Sequence, residues 1–350
     1  MMTPDIETIL VTRLRFMGDV ILTTPVLAAL RRAYPRASIT YLAEWPYITL
    51  LEHHPAVDER LALRRDRRFG SAEMIGRLLR RRFDLAIDLF GNPRSALLTF
   101  LSKASMRIGG DFRGRRTFYT HRIRDDGSRK TAVQFHLNYL DPLAITPPAP
   151  SDPEIALTDE EIAWSQDYLL RRGYDPEETI VGIHPGATWP AKRWFPHRFA
   201  VLANRLHREG AQILFTMGPG EDEVMESVLR SCQFSVIEPH ILSLRQLGAI
   251  LSRLDLYIAN DCGPMHLAPA VGTRTVGIFG PSDPGIWFPY RLEAGHVPVS
   301  KEVDCRICNR DWCDKMDCMR AITVQDVLGA ALDRLQKRSD SHGSTAETDR

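Results

Sequence analysis

The sequence predicts an α/β protein made of two tandem domains, each a parallel sheet wound with helices. Three observations predict it. The chain opens with a strand–turn–helix–strand unit, a proline-rich stretch interrupts it near residue 150, and the same alternation resumes beyond. At 350 residues the chain has the length of about two ordinary domains.

Ile9 to Leu14 is a short β-rich run, followed by a turn at Met17 and Gly18. Val20 to Tyr34 then reads as a helix. Leu22, Val26, Leu27, Ala29 and Leu30 fall on one face, and Tyr34-Pro35 stops it. Ser38 to Leu42 is the next strand, and Leu85 to Phe90, inside DLAIDLFGNP, is a strand of the buried type. From Thr146 the run TPPAPSDPE reads as a linker. It divides the chain into residues 1–150 and 151–337. In the second domain Thr179–His184, Gln212–Thr216, Leu256–Ala259 and Arg274–Phe279 read as strands. Arg198–Glu209, Pro264–Val271 and Thr323–Lys337 read as helices. Residues 338–350 are polar and predicted to be disordered. Parallel α/β sheets bind ligands beyond the carboxyl ends of their strands, so the crevice between two such domains is the expected site.

Composition bounds the functional class. Hydrophobic residues make up 44% and charged residues 25%, an ordinary globular balance. No apolar run approaches the roughly 18 residues needed to span a bilayer. The N-terminal MMTPDIETILVTRLRF does not read as a signal peptide, so the cytoplasm is the expected compartment. Net charge is +1 but unevenly spread, because residues 60–130 hold nineteen Lys/Arg against seven Asp/Glu. Such a stretch can attract a phosphorylated acceptor, an anionic membrane surface or nucleic acid, or it can be a solvated arginine face. It lacks the interleaved aromatics of single-strand binders, and no helix-turn-helix signature stands out.

Four segments carry candidate chemistry. In RFMGDV, Gly18 permits a tight turn and Asp19 stands at the start of the following helix. Asp19 is then either an ordinary helix cap or a general base facing the cleft, and the residues alone do not choose. In HPGATWPAKRW, which begins at His184, a glycine-bearing loop with Thr188 precedes Lys192 and Arg193. Amides, a hydroxyl and two cations suit a diphosphate, although the same residues also make a plain surface loop. In NDCGPMHLA, Asp261, Cys262, Gly263, Pro264, Met265 and His266 lead from a strand into a helix. Amides at such a helix start form an anion site opposite Lys192, with His266 the residue most easily read as core. In GPGEDEV, Glu221 follows a strand and a glycine turn, where a carboxylate can hold ribose hydroxyls. Glu223 is an equally simple candidate.

Three pieces together resemble the lipopolysaccharide core heptosyltransferases, glycosyltransferase family 9: RFMGDVILTTPVLAALRRAYP, GIHPGATWPAKRWFPHRFA and NDCGPMHLAPAVGTRTVGIFGPSDP. The resemblance covers most of residues 9–330. It implies the GT-B architecture, two Rossmann-like domains facing each other across a cleft. It implies an inverting enzyme with an ADP-heptose type donor and a phosphorylated glycolipid acceptor. It also implies peripheral contact with the cytoplasmic face of the inner membrane, and no nucleic acid. The family's base falls on Asp19, its phosphate-binding lysine on Lys192 with Thr188 nearby, its donor loop on Asp261 to His266, and its ribose acid on Glu221. The family's loop usually has Thr or Ser where Cys262 stands. No Asp-x-Asp motif occurs, so a metal-independent transfer is expected, with no cofactor required for catalysis. Rival readings are a sugar-nucleotide epimerase of the same architecture and a non-enzymatic nucleic-acid-binding protein.

Cys305, Cys308, Cys313 and Cys318 cluster as C-x2-C-x4-C-x4-C. Four thiolates can complete a structural zinc site, and reduced thiols or two disulfides fit the same spacing.

Overall fold

A computed structural model describes residues 6–343. The chain divides into two units, Met1–Ala156 and Leu157–Arg350. The division lies a few residues beyond the proline-rich stretch, where the sequence places it after residue 150.

Unit 1 is a six-stranded parallel sheet of β1 (Thr8–Thr12), β2 (Ser38–Glu44), β3 (Glu59–Leu63), β4 (Leu85–Asp88), β5 (Met106–Gly110) and β6 (His121–Ile123), in the spatial order β3-β2-β1-β4-β5-β6. The order reverses between β1 and β4, where Thr12 lies beside Asp88. β4 is buried along its whole length, as a strand covered by helices on both faces must be. Leu10, Leu42, Leu61, Leu63 and Ala86 from the sheet pack with Met74, Leu78 and Leu98 from the helices Gly70–Leu79 and Pro93–Leu101.

Unit 2 has five parallel strands, β7 (Ile180–His184), β8 (Gln212–Phe215), β9 (Leu256–Asn260), β10 (Thr275–Ile278) and β11 (Val297–Val299), in the order β11-β10-β9-β7-β8. Here the reversal falls between β7 and β9. Trp194 is fully buried in this core against Phe199, and its Nε1 donates to the Ile322 carbonyl at 3.0 Å. Ile322 and Met319 bring the C-terminal elements onto the same core.

The strands read from sequence end within two residues of their expected limits. Three expectations change. The single helix from Val20 to Tyr34 is two helices, Met17–Ile21 and Thr24–Ala33. Pro25 has no N–H to give the Ile21 carbonyl, so the helix restarts with proline in its first turn and the Thr24 hydroxyl takes that carbonyl at 2.8 Å. Gly18 lies inside the first of these helices and not in a turn. The final helix runs from Val324 to Gly343, past the expected end at Lys337. The expected disordered tail from residue 338 therefore begins inside that helix, and residues 344–350 lie outside the described residues.

Candidate active site

In unit 1 the carboxyl ends of β1 and β4 converge at the reversal. Arg13 follows β1, and its Nη1 donates to the Leu89 carbonyl just beyond β4 at 3.0 Å. The same guanidinium lies 4.5 Å from the Phe90 ring centre and pairs through Nη2 with Asp19 Oδ1. Asp19 is not the cap itself. It is the third residue of the helix Met17–Ile21, and its Oδ2 reaches back to accept from the N–H of the capping residue Phe16 at 3.0 Å. Its side chain is 15% exposed, so it touches solvent while both oxygens are held. A carboxylate fixed in this way still has lone pairs for a hydroxyl proton.

Beneath it, Asp88 ends β4 fully buried. It accepts from Thr12 Oγ1 (3.2 Å), the N–H groups of Phe90 and Gly91 (both 3.0 Å), Ser95 Oγ (2.9 Å) and Tyr119 Oη (2.6 Å). Burial, and then the Asp88 charge, push the Tyr119 phenol far above its ordinary range. Gly91 makes the turn possible, because its φ of +66° and the nearby Phe112 ring leave no room for a side chain. Part of the basic stretch is matched by acids: Arg64 bonds Asp66, Arg77 bonds Glu73, and Arg81 bonds Glu59. Arg64, Arg67 and Arg77 line a cavity of about 180 Å³ with Trp45 and Met74.

In unit 2 the loops after β7, β9 and β10 meet at one end of the sheet. Lys192 Nζ lies 2.6 Å from Asp261 Oδ2 and 4.6 Å from the centre of the Trp189 ring. Asp261 is buried, and the Ser282 hydroxyl donates to the same carboxylate oxygen. Asn260, fully buried at the end of β9, holds the loop after β7. Its amide donates to the carbonyls of Pro185 (2.9 Å) and Gly186 (3.1 Å), and its oxygen accepts the Trp194 N–H (3.0 Å). The helix Gly263–Ala270 begins here with Pro264 in its first turn. Its first N–H groups have no partners inside the helix, and Pro264 supplies none, so the amides of the 262–265 segment are fewer than its residues. A lysine has three N–H donors. With one on Asp261, two remain for ligand oxygens.

Glu221 caps the helix Asp222–Leu229. Its Oε2 accepts from the Gly218 N–H at 2.6 Å and lies 3.3 Å from His184 Nε2. His184 Nδ1 is 3.1 Å from Thr216 Oγ1, which is 2.6 Å from Tyr257 Oη. Burial raises the Glu221 carboxyl, but His184, the Gly218 amide and Arg193 outweigh it and hold it below the ordinary carboxylate range. Gly186 is required beside it, since a Cβ there would stand 2.1 Å from the Glu221 carboxyl.

The other sequence candidates divide. Arg193 Nε donates to the Ala187 carbonyl at 2.7 Å, and Thr188 is exposed on the same loop. Met265 is a core side chain. His266 is buried with Nδ1 3.0 Å from Tyr290 Oη. Desolvation pushes the Cys262 thiol far up, opposed by the Met265 amide and reinforced by Glu221 and Asp261. Glu223 is exposed. Sequence reading missed Arg13, Asn260 and Ser282. Their work depends on partners far away in the chain.

The zinc expectation finds no ligand set. Among the described residues no three His, Cys, Asp or Glu are gathered to hold a metal ion. Cys305 and Cys308 lie on an exposed loop, Cys313 is half-buried, and Cys318 is buried in the helix Asp317–Ala321. The four cysteines are unbridged in the structure. Burial raises the Cys318 thiol above its ordinary range, opposed by the Met319 amide and reinforced by the charges of Cys305, Cys308 and Cys313.

A model of glycosyltransferase family 9 (heptosyltransferase) matches residues 72–316. The chain belongs to glycosyltransferase family 9. It is similar to lipopolysaccharide heptosyltransferase 3 of Escherichia coli K12, with 28% identity over 95% of this chain and 100% of that one. It is also similar to the solved family 9 glycosyltransferase of Veillonella parvula, with 27% identity, a TM-score of 0.82, and coverage of 95% of this chain and 98% of the other. The E. coli heptosyltransferase WaaC, solved with ADP and with ADP-2-deoxy-2-fluoro heptose, shares the fold. With ADP it has 20% identity, a TM-score of 0.72, and coverage of 93% and 99%. The protein is thus a family 9 glycosyltransferase, and its two parallel-sheet units are those of the GT-B fold.

Proposed function

We propose that this family 9 enzyme transfers heptose from ADP-heptose to a lipopolysaccharide core acceptor with inversion, using Asp19 as general base. The observation that carries the donor half is the Lys192 amine standing on Asp261 where the helix Gly263–Ala270 begins. A lysine amine and a helix start beyond the β7–β9 reversal suit the diphosphate of a nucleotide sugar. The relatives' names, lipopolysaccharide heptosyltransferase 3 and a heptosyltransferase solved with ADP, support the choice of sugar and nucleotide.

In this reading Asp19 takes the proton of the acceptor hydroxyl as that oxygen attacks the anomeric carbon. The C–O bond to the diphosphate breaks on the opposite face. The electron pair leaves with ADP, whose growing charge is met by Lys192 and the first amides of the helix. Glu221, with both recorded bonds on Oε2, offers Oε1 to a ribose hydroxyl. No step needs a metal ion, so activity should survive chelation. The acceptor is read as a phosphorylated glycolipid, in keeping with the basic stretch at residues 60–130, and the cytoplasmic face of the inner membrane is the proposed place of action. Among the described residues no helix is long and apolar enough to cross a membrane.

The test is a panel of ADP- and UDP-sugars with a deacylated core oligosaccharide, followed by nucleotide release and product stereochemistry. ADP-heptose should be turned over only with acceptor, and should give the inverted linkage. Turnover of the donor alone, or preference for a UDP-sugar, would overturn the reading.

A further inference from the structure

The cysteine-rich segment plays no part in the chemistry above, yet it is bonded to the turn that presents Lys192 and to the turn whose Ser282 holds Asp261. The Ala191 N–H, next to Lys192, donates to the Asp311 carbonyl at 3.0 Å. The Asn309 N–H donates to the Pro281 carbonyl at 3.0 Å. Between them Arg306 reaches under the 280–282 turn, with Nε 3.1 Å from the Gly280 carbonyl and Nη2 3.4 Å from the Ser282 carbonyl. Ser282 is the residue whose hydroxyl holds Asp261. One short segment therefore closes a ring of contacts: 309–311 to 191, Lys192 to Asp261, Asp261 to Ser282, and Ser282 back to Arg306.

The Arg306 side chain is 3% exposed. Its carboxylate partner, Glu302 at 2.7 Å, is 89% exposed. A guanidinium withdrawn from water is costly unless its donors are used, and two of them are used on one turn. The planar fork of arginine can reach two carbonyls at once, which an ammonium cannot do in the same geometry.

We infer that residues 302–311 are a strap that fixes the spacing of the two donor-site turns, with Arg306 as a positioning residue acting through Ser282 on Asp261 and Lys192. The inference rests on the reading of that site as the nucleotide-diphosphate site. Arg306 touches no substrate. It keeps the amine and the carboxylate where a diphosphate finds them, so its loss acts on donor binding before it acts on the bond-breaking step.

The test uses the full-length protein with Arg306→Ala, Arg306→Lys and Glu302→Gln, measuring ADP binding by calorimetry, donor KM, kcat at saturating donor, and melting temperature. Arg306→Ala should raise the ADP Kd and the donor KM by about tenfold or more, with kcat changed by less than about threefold. Arg306→Lys should fall between parent and alanine variant, and Glu302→Gln should match the parent. Ser282→Ala combined with Arg306→Lys should lose less than the product of the two separate losses, because both act on one turn. A folded Arg306→Ala protein with the parent ADP Kd overturns the strap. If that variant does not fold, a parent-like Kd in Arg306→Lys overturns it instead. A parent protein that binds no ADP overturns the donor-site reading, and the strap with it.

Discussion

Asp19 and Lys192 carry opposite expectations, because one serves the acceptor and the other the donor. Asp19→Asn keeps the hydrogen bond to Phe16 within reach but loses the basic oxygen. The transfer rate should fall by about 10²- to 10⁴-fold, the usual worth of a positioned general base, while ADP affinity holds. Single-turnover rates and calorimetry on the same sample check this, and a parent-like rate would remove Asp19 from its role. Lys192→Ala leaves Asp261 buried without its cation, so ADP affinity should drop by about tenfold or more. Unchanged affinity by calorimetry would place the diphosphate elsewhere. Both residues stand out in the sequence through their local motifs. Arg13 does not, because its value lies in Leu89 and Phe90, more than seventy residues away.

At the scale of elements, the sites are built from strand ends, and buried polar residues lock those ends. Asp88 gathers five donors from four segments, and no stretch of sequence shows that convergence. Asp88→Asn sets an NH₂ against some of those donors. Unfolding in urea should show a loss of about 2–3 kcal/mol, the usual cost of leaving buried hydrogen-bond donors without their charged acceptor. A loss under about 1 kcal/mol would mean that solvent reaches the network after replacement. Asn260 performs the same service in unit 2, joining the end of β9 to the loop after β7. The motif NDCGP announces a turn into a helix. It does not announce that its first residue ties down another loop.

At the scale of the molecule, stability should decline in mild acid for a definite reason. Burial lowers the pKa of His54 to about 4, and its Nδ1 accepts the Ala56 N–H at 3.2 Å, which requires a neutral ring nitrogen. Burial lowers His136 well below its ordinary value too. An unfolded histidine takes up its proton near pH 6.5, but folded His54 does so only near pH 4. Between those values the unfolded chain binds more protons, so folding stability falls as the pH falls. The His54 share amounts to at most about 3 kcal/mol and is fully lost by about pH 4. Urea midpoints at pH 7 and pH 5 for the parent and His54→Gln check this. The variant should show a smaller acid decline, and an equal decline would refute it.

The sequence by itself determined the α/β class, the strands that carry the sites, the linker region and the three motifs behind family 9. Hydrophobic runs, proline and glycine act locally, and their effects are written where they occur. It also placed Asp19, Lys192, Asp261 and Glu221 on loops beyond strand ends. Only the tertiary structure decided what those loops do. It made Asp19 the third residue of its helix and a partner of Arg13, and turned His266 toward Tyr290. It also bonded the cysteine-rich segment to the turns around Lys192 and Ser282. Parallel strands far apart in sequence end side by side, and the bonds between their loops depend on that juxtaposition and on burial. Neither is a property of any single stretch of chain.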